Sequence, residues 1–325
     1  MDLKGYNSKI ASDVNAALAR ELAVGEQKTL REAMMYLPMS GGKRMRPMLA
    51  LLVADAISGS GRRAMPLGLA LEIIHNFTLV HDDIMDKDDF RRGVPTVHKK
   101  WDEPTAINAG DALFARAIEV LSTLDAPQPV FREVVHDVAC MVRQIGEGQQ
   151  WDMEFEKRRD VTEAEYIKMI ERKTALMFMT GAKGGALIGG GTEEQASAMW
   201  EYGKNLGIGF QIHDDWLNLK GDPKEFQKPI GGDLLRGKKT IIIIHAFANL
   251  PKKELAHVKK VFGKEKASKT MLNAAIKALG PSLEYAQGKA RAHADRAVEL
   301  LKVLPENEYK AILKDLAIYA VERRH

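Results

Sequence analysis

A single cysteine, Cys140, stands in 325 residues, which excludes an intrachain disulfide and suits a reducing compartment. Core packing is its expected role. No long basic run is present, and 48 lysines and arginines against 44 aspartates and glutamates leave a formal net charge of only +4, so no nucleic-acid footprint is indicated. The most continuous apolar stretch, Ile241-Ile242-Ile243-Ile244 followed by His245, falls far short of the roughly 20 residues that a membrane span requires. The N-terminus, Met1 to Glu21, alternates polar and apolar residues and lacks the uninterrupted apolar centre of an export signal. A soluble, cytoplasmic protein without a membrane span is expected. No convincing strand alternation, internal repeat or low-complexity tract appears.

What is present is helical periodicity almost throughout. Good helix formers dominate Ile10 to Leu22, Met45 to Ala56, Ala64 to Met85, Thr105 to Leu124, Val130 to Phe155, Glu163 to Leu187, Glu193 to Leu219 and Leu283 to Leu304. Thr162 with Glu165, and Thr192 with Gln195, have the spacing of capping boxes. Breaks fall at Asp125 to Pro129, at Gly189-Gly190-Gly191 and across Gly221 to Lys239. Only the last, rich in lysine as well as glycine and proline, looks functional. Gly203, Gly207 and Gly209 cost about 1 kcal/mol each relative to alanine in a helix, and close helix packing is the expected compensation. The length suits one large helical domain over residues 1–325.

Two acidic clusters each close an apolar helical stretch: Asp82-Asp83-Ile84-Met85-Asp86 and Asp214-Asp215-Trp216-Leu217-Asn218. One such triplet is weak evidence, because 44 acidic residues in 325 give about one by chance. The setting is what separates these from solvated faces. Leu71 to Val80 leads into the first and Leu206 to Ile212 into the second, and carboxylates grouped at the end of a buried helix repel one another unless a cation or a basic partner offsets them. Asp82 and Asp86 share a helical face, as do Asp214 and Asn218. The clusters have the form of two halves of one magnesium–diphosphate site.

Cations recur at corresponding landmarks. The glycine turn Gly41-Gly42 delivers Lys43, Arg44 and Arg46, and Arg91-Arg92 follows the first acidic cluster. Lys173, Lys228, Lys238 and Lys239 come later. Arginine offers a planar fork to phosphate oxygens and lysine a mobile point charge, whereas carboxylates hold a diphosphate only through metal.

In order, the chain spells GGKRMRP, HNFTLVHDDIMDKDDFRRGVPTVH, NAGDALFA, KTA, GFQIHDDWLNLKGD and GKKT. Over nearly its whole length it resembles the trans-isoprenyl diphosphate synthases, the polyprenyl synthetase family, and is most similar there to archaeal and bacterial geranylgeranyl and farnesyl diphosphate synthases. The resemblance implies an all-α fold, a single large helical bundle around a deep central cavity, usually as a homodimer. It implies condensation of isopentenyl diphosphate with an allylic diphosphate. Lys43, Arg46, His75 and Arg92 would bind isopentenyl diphosphate. Arg91, Lys173, Lys228 and Lys238 would hold the allylic diphosphate, with Thr174 and Gln211 beside the reacting carbons. Asp82, Asp86 and Asp214 would bind several Mg2+ ions, with Mn2+ as an alternative, and Asp83 and Asp215 would act one step removed from the metal.

One departure stands out: Asn218 occupies the place where the family commonly has a third aspartate, and an amide is a poor case for a metal ligand. The tail from Tyr319 to His325 resembles the family's basic C-terminus, which folds over the isopentenyl site; a frayed end is the alternative. A terpene cyclase would share the first cluster but has no use for GGKRMRP. A noncatalytic subunit of a synthase heteromer would lack one cluster. A purely structural helical scaffold would leave the acidic and basic clusters unexplained. For product length, helical rise puts Phe77 roughly 7.5 Å below Asp82 but about 140° around the axis, favouring Thr78 and Ile74 as the floor. The resemblance favours Phe77 at the fifth position with small Thr78 at the fourth, and hence a twenty-carbon product with some fifteen-carbon release.

Overall fold

Residues Met65–Met85 form a helix (α4) that Pro66 opens at its first turn, where a missing N–H costs nothing. Leu67 through Ile74 are buried without a break. A helix apolar on all sides is enclosed by other helices rather than laid on a surface. Its principal neighbours are α3 (Met45–Ser58), itself buried from Pro47 to Ala54, and α6 (Glu103–Leu121). The approach to α6 is close at Gly110, where a Cβ would stand 2.2 Å from His81 Nε2.

The computed structural model describes residues 1–221, 230–264 and 266–323. It is helical nearly throughout, as the periodicity implies. The longest helices are α7 (Gln128–Lys157) and α10 (Glu193–Lys220). Both capping boxes form: Thr162 and Glu165 exchange side-chain and backbone bonds at the start of α8 (Glu163–Ile170), and Thr192 and Gln195 do so before α10. Helices also form over Lys28–Met39 (α2), Ile241–Asn249 and Glu308–Glu322, which lie outside the stretches picked out by periodicity. α2 is capped by Gln27, whose Oε1 accepts from Leu30 N at 2.5 Å, and glutamine is not a usual cap. Strands do occur among the described residues, but only as Phe90–Arg91 paired with Val94–Pro95. Two residues per strand are too few for alternation to register.

The chain divides into two compact units, one of Met1–Val138, Thr180–Trp200 and Lys302–Leu313, the other of Ala139–Met179, Glu201–Leu301 and the chain from Lys314 onward. Among the described residues no helix is long and apolar enough to cross a membrane.

Candidate active site

In the first unit the landmarks gather at one end of α4. Asp82, Asp83 and Asp86 occupy its last turn, and the helix stops in a Schellman motif: Lys87 adopts φ 56°, its N–H reaches Ile84 O, and Asp88 N–H reaches Asp83 O at 3.0 Å. Carboxylates here face the negative end of the helix dipole, an unfavourable place without a compensating cation. Asp83 is buried, with Oδ1 accepting from Arg91 Nε at 2.5 Å. Burial raises its carboxyl to about 6 against the pull of Arg91, and the charges of Asp88 and Asp82 push the same way as burial. Asp82 and Asp86 are half-exposed.

Arg91 and Arg92 come from the hairpin, whose turn residues Arg92 and Gly93 have φ of 53° and 75°. Positive φ at both positions is what a tight two-residue hairpin demands. From this strained backbone, Arg92 donates to Gly41 O (2.5 Å) and Leu37 O (3.1 Å), tying the hairpin to the glycine turn. That turn carries its own left-handed residue, Arg44 at φ 50°. The buried Arg44 side chain is engaged by Glu72 Oε1 (2.6 Å), Asn15 Oδ1 (2.8 Å) and Pro38 O (2.5 Å), so of the three cations in the turn it serves structure. Removal from water, and then the charges of Arg46, Arg92, Arg91 and Arg44, hold His75 well below the usual imidazole range. It is a neutral ring among guanidiniums. Arg92 itself is drawn down to about 10 by burial, with Glu72 opposing and Arg44, Arg91 and Arg46 adding repulsion. Phe77 packs its ring against His81 and Phe114, with centroids 5.0 and 5.6 Å away, and Thr78 Oγ1 donates to His75 O.

The second unit holds the remaining landmarks. The sequence suggests an unbroken helix over Glu163 to Leu187; instead a π-helical turn, Glu171–Ala175, joins α8 to α9 (Leu176–Ile188). It carries Lys173 and Thr174. Such a turn spends one extra residue and is frequent at functional sites. Glycines make room for it: a Cβ at Gly148 on α7 would lie 2.5 Å from Lys173 N, and one at Gly207 on α10 would lie 2.5 Å from Ala175 Cα. Gly203 likewise lies against the Met179 backbone. Close packing is thus the return on the lost propensity of Gly203 and Gly207.

Lys173 Nζ meets Asp152 Oδ2 at 2.7 Å, and Lys238 Nζ meets the same oxygen at 2.9 Å and Glu156 Oε1 at 3.0 Å. Burial opposes the charge of Asp152, but the two ammonium groups prevail and hold its carboxyl at about 2. Lys238 is delivered by a loop with a left-handed Gly237 (φ 80°), ahead of Thr240, which caps the helix Ile241–Asn249. Thr174 Oγ1 donates to Gln211 Oε1 (2.9 Å), Gln211 Nε2 to Asp215 Oδ1 (2.9 Å), and Tyr166 O–H to Asp215 Oδ2 (2.6 Å). Asp215 is buried, and burial, then the charge of Asp233, push its carboxyl up to about 8 against these two donors. Half-exposed Asp214 pairs with Arg323, which lies over the Phe210 ring at 3.8 Å and whose carbonyl meets His213 Nε2 at 2.7 Å. Asn218 accepts from Asp233 N (3.2 Å) through Oδ1 and from Gly231 N (2.7 Å) through its backbone oxygen. A buried neutral amide fixes that turn without adding charge beside three aspartates.

Lys228 lies outside the described residues, as do Arg324 and His325. Within the first unit Arg46, His75, Arg91 and Arg92 are brought together; within the second, Asp152 links Lys173 with Lys238, and Thr174, Gln211 and Asp215 form a separate chain of hydrogen bonds. Asp152 and Tyr166 escaped the sequence reading as site residues, because a lone side chain on a helix carries no signal of a partner 21 or 49 residues away; Arg323, in the basic tail the sequence singled out, is buried against Asp214.

Among the described residues no three histidine, cysteine, aspartate or glutamate side chains converge on a single ion position. Asp82, Asp86 and Asp214 are half-exposed, whereas Asp83 and Asp215 are buried; Asp83, Asp215 and Asp214 all have protein donors, the last being Arg323.

The family model described as polyprenyl synthetase matches residues 27–279. The geranylgeranyl diphosphate synthase of Methanosarcina mazei is 40% identical over 323 residues, spanning 97% of this chain and 96% of that protein. A crystal structure of geranylgeranyl pyrophosphate synthetase from Pyrococcus horikoshii superposes with a TM-score of 0.92 at 38% identity, covering 99% of this chain and 98% of that one. A polyprenyl synthase from Caulobacter crescentus, complexed with calcium and isoprenyl diphosphate, superposes with a TM-score of 0.88 at 28% identity, covering 99% and 98%.

Proposed function

The chain belongs to the polyprenyl synthetase family and is a trans-prenyltransferase of the geranylgeranyl diphosphate synthase type, and on that premise we propose how its residues divide the work. It condenses isopentenyl diphosphate with allylic diphosphates of five to fifteen carbons, chiefly to all-trans geranylgeranyl diphosphate with some farnesyl diphosphate. The observation that supports the site reading is the company of His75: Arg46, Arg91 and Arg92 gather around a neutral ring, donors of the kind a diphosphate takes. Lys43, Arg46, His75 and Arg92 bind the diphosphate of isopentenyl diphosphate. Lys173, Lys238, Arg91 and Lys228 hold the allylic diphosphate.

Asp82, Asp86 and Asp214 hold Mg2+, for which Mn2+ can substitute. Bound there, the ions neutralise charge building on the leaving diphosphate. Lys173 and Lys238 add fixed positive charge at the same group. The oxygens of Thr174 and Gln211 face the allylic carbons, stabilising positive charge without trapping it. The departing diphosphate takes the proton released on condensation, so no histidine or glutamate base is needed beside the reacting carbon. A cytoplasmic homodimer, each chain one catalytic domain, completes the proposal.

Incubation of the purified protein with isopentenyl diphosphate, farnesyl diphosphate and magnesium, followed by chromatography of the dephosphorylated alcohols, tests this. Geranylgeraniol is the expected product. A cyclic hydrocarbon, or no elongation, would overturn the reading.

A further inference from the structure

Thr174, Gln211, Asp215 and Tyr166 form one chain of hydrogen bonds. Tyr166 is fully buried, and its O–H donates to Asp215 Oδ2 at 2.6 Å. It occupies Asp215 Oδ2, leaving Oδ1 to the amide of Gln211 one helical turn away on α10. Gln211 presents Nε2 to that oxygen and so turns Oε1 to Thr174, 2.9 Å from Oγ1. The threonine proton is drawn to that oxygen. What Thr174 then turns outward is its lone pairs, the polarity suited to a developing carbocation. A hydroxyl left to rotate would present its proton part of the time.

We propose that Tyr166 and Asp215 are positioning residues that fix the Gln211 amide and, through it, the Thr174 hydroxyl in the orientation that stabilises the allylic cation. This rests on the reading that Thr174 lies beside the reacting allylic carbons. The network joins α8, the π-helical turn and α10 within one unit, which gives the extra residue of the turn a purpose: it brings Thr174 Oγ1 to 2.9 Å from Gln211 Oε1.

The test is a set of mutant cycles in single-turnover condensation at saturating magnesium, with Michaelis constants measured alongside. Thr174→Val should slow the chemical step about 10²-fold, and Tyr166→Phe about tenfold with both Michaelis constants within about twofold of wild type. In the Thr174→Val background Tyr166→Phe should add nothing; in Thr174→Ser, which keeps the hydroxyl, its tenfold effect should return. If Tyr166→Phe does not fold, Asp215→Asn takes its place in the same cycles. Equal effects in the valine and serine backgrounds would overturn the relay. A normal rate for Thr174→Val would instead overturn the placement of Thr174 at the reacting carbons.

Discussion

The cations of the two units are managed in opposite ways. Around His75 burial, with the neighbouring guanidiniums adding to it, brings Arg92 down to about 10 and keeps the imidazole neutral. Lys173 and Lys238 share one carboxylate, Asp152, and drive it down to about 2. In the first arrangement Arg44 and Arg91 have carboxylates of their own, Glu72 and Asp83, and Arg92 donates to carbonyl oxygens; in the second both ammonium groups share one carboxylate. On the proposed assignment a diphosphate is expected to bind the first set without metal, whereas at the second it must exchange or share Asp152.

The contrast can be broken most severely at the metal ligands. Asp82→Ala or Asp214→Ala should lower turnover by at least about 10²-fold at saturating magnesium. Melting temperatures should hold or rise for Asp82→Ala, since a carboxylate leaves the negative end of α4. Asp214→Ala also strips Arg323 of its partner and should melt somewhat lower. Turnover assays beside thermal scans check both.

A smaller effect separates the two cation sets. Arg46→Ala should raise the Michaelis constant for isopentenyl diphosphate about tenfold to a hundredfold, the loss of a charged hydrogen bond of about 1.5–3 kcal/mol, while leaving the allylic constant nearly unchanged. Lys238→Ala should do the reverse. Steady-state kinetics with each substrate varied in turn would show it, and matching shifts for both substrates would erase the distinction.

Product length responds more gently. The Phe77 ring already fills space beside His81 and Phe114, so Phe77→Ser should lengthen the products and Thr78→Phe should shorten them, with overall turnover within about tenfold. Chromatography of the prenyl alcohols from both variants decides, and two unchanged distributions would move the floor elsewhere.

The smallest expected effect concerns stability. Asp152 has a folded carboxyl near 2 against an ordinary 3.8, so its ionised form stabilises the fold by about 2 kcal/mol above pH ~4, a contribution lost as pH falls toward 2. Asp152→Asn should therefore be less stable than wild type at neutral pH, and the gap should close in acid. Denaturant midpoints across that range measure it.

Much of this was legible in the sequence because it is repetitive or local. Helix identity follows from periodicity, and the capping boxes at Thr162 and Thr192 need only four residues each. The acidic and basic landmarks are short motifs in a fixed order. What stayed hidden depends on distant partners or on one-residue changes of register. The π-helical turn does not alter composition, so Glu163 to Leu187 reads as one helix although Thr174 depends on the interruption. Arg44 and Arg46 look equivalent by composition in GGKRMRP; the resemblance picks out Arg46, and the burial of Arg44 against Glu72 supplies the physical reason that Arg44 serves structure. Asn218 looks like a missing ligand until its bonds to Gly231 and Asp233 show a turn being held.

The contrast between the two cation sets is tested most directly by equilibrium binding of isopentenyl diphosphate in the presence of a magnesium chelator. Wild-type protein and Lys238→Ala should bind it with similar affinity, and Arg46→Ala should bind it at least about tenfold more weakly. Binding that requires magnesium, or that weakens equally in both variants, would contradict the division of the two diphosphates between these sets.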